Sequence, residues 1–346
     1  MPIPHACLVQ IRGDWEWLCQ FCRLRFFKTE HFCWMCNTTA SPGDLCYTDF
    51  RPEAPHRQTL ISHEDYVRSC VQEQAELSHV FRCPGTTLDH LTVDVMHAGD
   101  LGCFQDAIGS LFWLEVSNKA WHRTNAAGLQ SLNNELKAYY RANSDRGLSQ
   151  VTPLAMSQIW SDKPGYPFLK AKAAQTRHLS EFCLVLALRH QHGDANRRAY
   201  SFRAGTRMAG QGAVHSAHLV AMFRGLNDFC ISCSAAPFNK DECKRAMYQF
   251  LQSLKALHDL WRHNVPLEQQ RPLPFHMRPK SHVLQHLVED KVPVWGSPAS
   301  FWCYRDEDFI GAVKGIAQKT KDPRSIELRI LEKLTIWAKF SATEYV

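Results

Sequence analysis

The sequence predicts an α+β fold that is mostly helical, and three observations lead there. His5 to Arg12 (HACLVQIR) alternates apolar and polar residues as a short strand does, and it ends at Gly13-Asp14-Trp15. From Leu101 onward apolar residues recur at helical spacing in one segment after another, as with Leu129, Leu132, Leu136 and Tyr140. The 346 residues are 45% apolar and 21% charged, which suits a globular protein of one large domain or two ordinary ones.

Taken in order, WEWLCQFCRLRFF after Asp14 reads as a helix. Asn37 to Thr59 is polar and Pro-rich, a long surface loop, and Ile61 to Leu77 is helical. Cys83-Pro84-Gly85 turns the chain into Leu91 to Phe104 (LTVDVMHAGDLGCF). Helices follow over Leu101 to Val116 and Ala126 to Arg141, then an irregular stretch from Pro153 to Phe168. A helical segment from Leu169 to His190 and a break at Gly205 to Gly212 precede helices over Val214 to Ser232 and Lys240 to His263. Pro279 suits the first turn of a helix that begins PKSHVLQH. EDFIGAVKGIAQKT and Pro323 to Phe340 are the last helical segments.

No apolar run approaches the roughly 18 residues that a spanning helix needs. The opening MPIPHACLVQIRGDW lacks the basic start and apolar block of a secretory signal. The expected address is therefore nuclear or cytoplasmic, with no membrane partner. Fourteen cysteines without a signal peptide point to reduced thiols, some of them available for a metal. A net charge of +6 is compatible with a nucleic-acid partner without demanding one.

The residues that carry chemistry fall into six groups. Asp94, His97 and Asp100 lie in an otherwise apolar stretch, and Asp94 and His97 would share one helical face. Buried, such groups are costly unless paired, so they form either a functional site or a structural lock. Asp14, just past a strand, is placed for metal or substrate, or else for capping the next helix. Cys19-x-x-Cys22 and Cys33-x-x-Cys36 have the spacing of zinc-ligating thiolates. Cys33 and Cys36 make the better pair, since Cys19 and Cys22 in a helix could be plain core residues; Cys46, His56 and His63 are substitute ligands. Lys170, Lys172, Arg177 and His178 form a basic half-helix that could meet phosphates or simply be solvated. His282 and His286, one helical turn apart, could ligate a metal but have no acid between them as HExxH does. Asp306, Glu307 and Asp308 open a helix, where the dipole favours acids in any case.

GDW after a strand, CWMC, DVMHAGDLG and finally PKSHVLQH leading to RDEDFIG occur in a recognisable order. In this the chain resembles the catalytic region of CACTA-type and hAT-related transposases, and the transposase-like proteins numerous in dinoflagellate genomes. The resemblance implies a partial RNase H-like core over residues 1–116, with a Cys-rich insertion at about 19–60. It further implies a helical insertion over 117–275 and C-terminal helices over 276–346. The family's three acids hold two divalent ions, Mg2+ or Mn2+, for strand cleavage and transfer on DNA. Carried over, Asp14 matches the second acid and Glu307 the late glutamate. Asp94 and His97 match the Cys/Asp-x-x-His signature that supports them. Only thirteen residues precede Asp14, so the first strands and the first acid are expected to be missing and the chain to be a truncated, inactive derivative. An alternative alignment makes Asp14, Asp94 and Glu307 the whole triad. Two other functions remain: a non-enzymatic, zinc-containing DNA- or protein-binding module of transposase descent, and a zinc hydrolase built on His282, His286 and Asp94.

Overall fold

Strand β1 (Ile11–Gly13) pairs in parallel with β2 (Leu91–Val93), and Gly13 stands opposite Val93. The computed structural model describes residues 10–118, 122–151, 153–160, 165–192, 211–264, 273–319, 327–328, 330–332 and 335. Most of the strand expected from His5, most of the break at Gly205 to Gly212 and two thirds of the last helix lie outside them. Among the described residues the fold is mostly helical with this one small sheet. The chain divides into two compact units, Met1–Phe301 and Trp302–Val346.

In the first unit α1 (Trp15–Cys22) follows β1 directly, and α2 (His63–Gln72) comes before β2. Trp15, Leu18, Cys19 and Cys22 are the buried face of α1, the three- and four-residue spacing of an amphipathic helix. Ser62 caps α2, its hydroxyl accepting from the Asp65 N–H. Residues 37–59 hold one short 3₁₀ turn, Pro55–Gln58, and bury Phe50, Ala54 and His56. The expected surface loop is therefore partly core.

Beyond β2 a π-helical turn, Met96–Cys103, leads into α3 (Phe104–Ser117). Helix α3 is buried on nearly every side, so it is the axis about which α4 (Asn125–Ala142), α5 (Met156–Ile159), α6 (Ala173–His178) and α7 (Ser180–His192) are arranged. The segment expected as one helix from Leu169 is two, parted at Leu179. Gly109 permits the close approach on this axis, since a Cβ there would lie 2.3 Å from the Phe168 backbone. Helices α8 (Gly212–Ser234) and α9 (Lys240–Asn264) form the other layer, and Phe104 packs on Phe229 and Phe250 at ring separations of 6.0 and 5.2 Å.

Three buried acids, one on the π-helical turn and two on α3, each meet a base from a different element. Asp100 accepts from Arg177 of α6 (2.7 Å), Asp106 from Arg278 (2.6 Å) and Glu115 from His190 of α7 (2.7 Å). An unpaired buried charge costs several kcal/mol, so these pairs fix how the surrounding elements are set. Helix α10 (Lys280–His286) runs through a π-helical turn, Leu287–Lys291, into α11 (Val292–Trp295). In the second unit α12 (Tyr304–Lys319) carries Asp306 and Glu307 in its first turn. Among the described residues no helix is long and apolar enough to cross a membrane.

Candidate metal centre

The two strongest metal signals in the sequence converge. Cys33 and Cys36 meet His282 and His286 of α10, all four side chains are buried, and their ligand atoms lie within 4.8 Å of one another. Cys36 Sγ is 3.3 Å from His282 Nε2 and 3.4 Å from His286 Nε2, and Cys33 Sγ is 3.6 Å from His286 Nε2. The two Nε2 atoms are 3.1 Å apart. A tetrahedral ion with ordinary zinc bond lengths spaces its ligands at about 3.6 Å for S···N and about 3.3 Å for N···N. These four of the six ligand separations are within a few tenths of an ångström of what such an ion requires, and the other two lie under 4.8 Å.

Local structure explains each half. In Cys33-Trp34-Met35-Cys36 the Met35 N–H donates to Cys33 Sγ (3.3 Å), and the Thr38 N–H donates to Cys36. Trp34 anchors the turn against Trp15, ring centroids 5.9 Å apart. On α10 the four-residue spacing puts both imidazoles on the face turned towards that knuckle, with His282 held edge-on to Phe32 and His56. His286 Nδ1 is 2.6 Å from Asp290 Oδ2, and Arg57 donates to both oxygens of the same carboxylate (2.7 and 2.9 Å). Arg57 Nη1 also lies 3.0 Å from Nδ1. With Nδ1–H donating to Asp290, the guanidinium hydrogen goes to the carboxylate and the Nε2 lone pair faces the thiols. This is the carboxylate–histidine arrangement that orients metal-bound imidazoles.

Protonation fits the same picture at His282 and Cys36 but not at His286, where burial is outweighed by Cys33 and Asp290, which hold the imidazole above its ordinary value. Burial pushes His282 down to about 4, so its ring is neutral, as a ligand must be. A hydrogen bond with Cys33 holds the Cys36 thiol below the ordinary cysteine range, while burial pushes Cys33 up. Burial raises the Asp290 carboxyl, but Arg57 and His286 outweigh it and hold it well below the usual carboxylate range. Four protein ligands close a tetrahedral shell and leave no position for substrate, the pattern of a structural site.

The other sequence candidates lie elsewhere. Cys19 and Cys22 belong to the α1 core, their thiols pushed up to about 12 and about 11 by burial, so the four-cysteine arrangement is replaced by two cysteines and two histidines. His56 lies behind the centre and donates to Gln285 Oε1 (3.1 Å). The hydrolase grouping of His282 and His286 with Asp94 does not form: Asp94 is buried against His97, Oδ2 to Nδ1 2.6 Å, and accepts from the Met96 N–H. Arg177 is 10% exposed and paired with Asp100, which withdraws it from any phosphate. His178 is half-buried and accepts from the Ser149 N–H (2.8 Å), whereas Lys170 and Lys172 are exposed. Glu307 is exposed on α12 in the second unit.

Asp14 stands at the N-cap of α1, yet its side chain makes no capping bond. The β1–β2 pairing ends at Gly13 and Val93, the residues immediately before Asp14 and Asp94, so the two acids follow neighbouring parallel strands at the same end. That end is where open α/β sheets place their sites. No motif in the sequence marks Asp290 or Arg57; an acid four residues after His286 is the one signal for the carboxylate. No family model, curated protein or solved structure matches this chain.

Proposed function

We propose that the chain is a non-enzymatic, zinc-stapled module of transposase descent that binds DNA. The observation that carries the zinc is the Cys33–Cys36–His282–His286 cluster, whose ligand spacings are those of a tetrahedral ion's shell. Zinc is the natural occupant of a closed two-thiol, two-imidazole set, and it acts here as a clamp between the Cys-rich loop and α10. The descent rests on the order of motifs from Asp14 to Glu307. DNA as partner is supported by the net charge of +6 and by exposed Lys170 and Lys172. Metal analysis of the purified protein should find one zinc per chain, lost in Cys36→Ser, and DNA affinity should fall steeply between 50 and 200 mM salt. A zinc-free protein that keeps its fold sinks the first half of this reading, and salt-independent or absent DNA binding sinks the second.

One observation favours a second reading. Asp14 and Asp94, each directly following a strand of the parallel pair, suit the reading in which both belong to an acidic metal site. On that reading the protein cleaves DNA with Mg2+ or Mn2+, and Asp14→Ala and Asp94→Ala each abolish it. Cleavage equal in wild type and both variants, or none in wild type, removes the enzyme.

A further inference from the structure

The DNA reading leaves open where a strand would lie, since Arg177 and His178, half of the basic group on and before α6, are engaged internally. A different surface offers a built groove. Along one side of α4 runs an open cleft of about 650 Å³, whose lining includes Gln130, Asn134, Lys137, Arg141 and Gln150. The first four are spaced four, three and four residues apart, so they form one stripe along the helix. Gln130 Nε2 donates to Asn134 Oδ1 (3.1 Å), which orients the amide end of the stripe.

The opposite wall is pinned to α4 rather than lying loosely beside it. Asn133 donates to the Leu154 carbonyl (3.0 Å) and accepts from the Leu154 N–H (2.7 Å), and the Tyr140 hydroxyl accepts from the Val151 N–H (3.1 Å). Gln175 of α6 fixes the Gln150 carbonyl from behind (2.6 Å). Charge is sorted as well. Two acids of this region are neutralised by other bases, Glu135 by Arg189 and Glu181 by Arg146, while exposed Asp145 follows Ser144 at the edge of the lining. Among the described residues that line the cleft none is acidic, and Lys137 and Arg141 are both exposed. Two cations about 6 Å apart along a helix, with amides ahead of them and no carboxylate opposite, complement a chain of phosphates.

We infer that the α4 cleft is a nucleic-acid groove, with Lys137 and Arg141 holding successive phosphates of one strand and the amides facing sugar or base edges. This rests on the DNA reading above and names its surface. The test compares wild type, Lys137→Glu/Arg141→Glu and Lys170→Glu/Lys172→Glu by fluorescence anisotropy, using labelled single-stranded and duplex oligonucleotides from 50 to 200 mM salt. A melting curve first confirms that each variant is folded; because Lys137 and Arg141 are exposed, charge reversal there should leave it unchanged. The expected result is at least a tenfold loss of affinity in Lys137→Glu/Arg141→Glu. Its slope of log affinity against log salt should shrink by about 1.4 on single strands or about 1.8 on duplex, two phosphate contacts' worth. Full affinity in that variant, with loss in Lys170→Glu/Lys172→Glu, overturns the cleft while sparing the DNA reading. No binding by wild type overturns both. Binding of a nucleoside triphosphate, but not of oligonucleotides, that depends on Lys137 and Arg141 overturns the strand assignment in favour of a mononucleotide.

Discussion

Replacing Asp290 with Asn tests the metal centre through a residue that touches no metal. In the wild type, Asp290 Oδ2 accepts from His286 Nδ1 at 2.6 Å and Arg57 clamps the same carboxylate at 2.7 and 2.9 Å. An amide in place of the carboxylate removes the charge that holds the proton on Nδ1 and weakens the ring as a donor to zinc. Losses of this kind weaken metal binding about 10- to 100-fold, or ~1.4–2.7 kcal/mol. At free zinc a hundred times the wild-type Kd, binding stabilises the wild-type fold by ~2.7 kcal/mol. A site about 30-fold weaker would give ~0.9 kcal/mol at the same free zinc. The assay is competition with a chromogenic chelator, together with denaturant unfolding in buffered zinc and in excess chelator. Zinc-dependent stabilisation should therefore drop by ~1.8 kcal/mol in Asp290→Asn. The Arg57 side chain, 11% exposed, loses its partner and lowers stability with or without metal, so only the zinc-dependent difference bears on the argument. Undiminished zinc affinity in the variant would refute the role given to the carboxylate.

Arg177→Met leaves Asp100 buried without its guanidinium and should cost about 3–5 kcal/mol, whereas Asp100→Leu/Arg177→Met should cost less than the single change; denaturant unfolding decides, and a single-variant loss under 1 kcal/mol would show the pair to be idle. Acid should destabilise the fold below about pH 6.5, because burial pushes His215 down to about 3 and His276 to about 4 while unfolded imidazoles protonate near 6.5. The unfolded state then binds more protons, so stability falls as pH falls, by up to about 1.4 kcal/mol per pH unit for each group. His215→Phe should flatten the slope between pH 6 and 4 by that one-group amount, and an unchanged slope would remove His215 from the account.

Local periodicity carries well into the structure where burial repeats along a helix. Leu132, Leu136 and Tyr140 are the buried stripe of α4, and α8 and α9 fall within two residues of their expected bounds. Half-sites were legible too, since Cys33 with Cys36 and His282 with His286 each have ligand spacing on their own. What the sequence did not reveal is that the halves belong together, because no local pattern encodes a contact across some 250 residues. The same limit governs Arg177: a cation in a basic run looks solvated until Asp100, 77 residues earlier, is seen to be its partner. Cys19 and Cys22 mislead for the opposite reason. At three-residue spacing on a buried helix face, a thiol packs as a small apolar side chain, and ligand spacing and core spacing coincide.

The position of the centre argues for construction rather than chemistry. Bringing Cys33 and Cys36 to α10 closes loops of 253 and 246 residues. In the chain-entropy account a closure of that length costs ~5 kcal/mol before any contact rewards it. The direct bonds between the Cys-rich loop and the C-terminal half include Tyr47 to the Met277 carbonyl (3.1 Å), Gln252 to the Phe50 carbonyl (3.2 Å) and the Arg57–Asp290 pair. Ordinary hydrogen bonds contribute a net ~0.5–1.5 kcal/mol each. Together these bonds are of the same order as the closure cost, to which the burial of Phe50, Ala54 and His56 adds, while residues 37–59 have little secondary structure to help. Structural zinc contributes on the order of 10–16 kcal/mol in small peptides, enough to exceed the closure cost by itself. A zinc at this cluster would draw two ligands from each side of the gap, which is the arrangement a clamp requires. A catalytic ion would need one corner of its shell left open, and here all four are filled from within the fold.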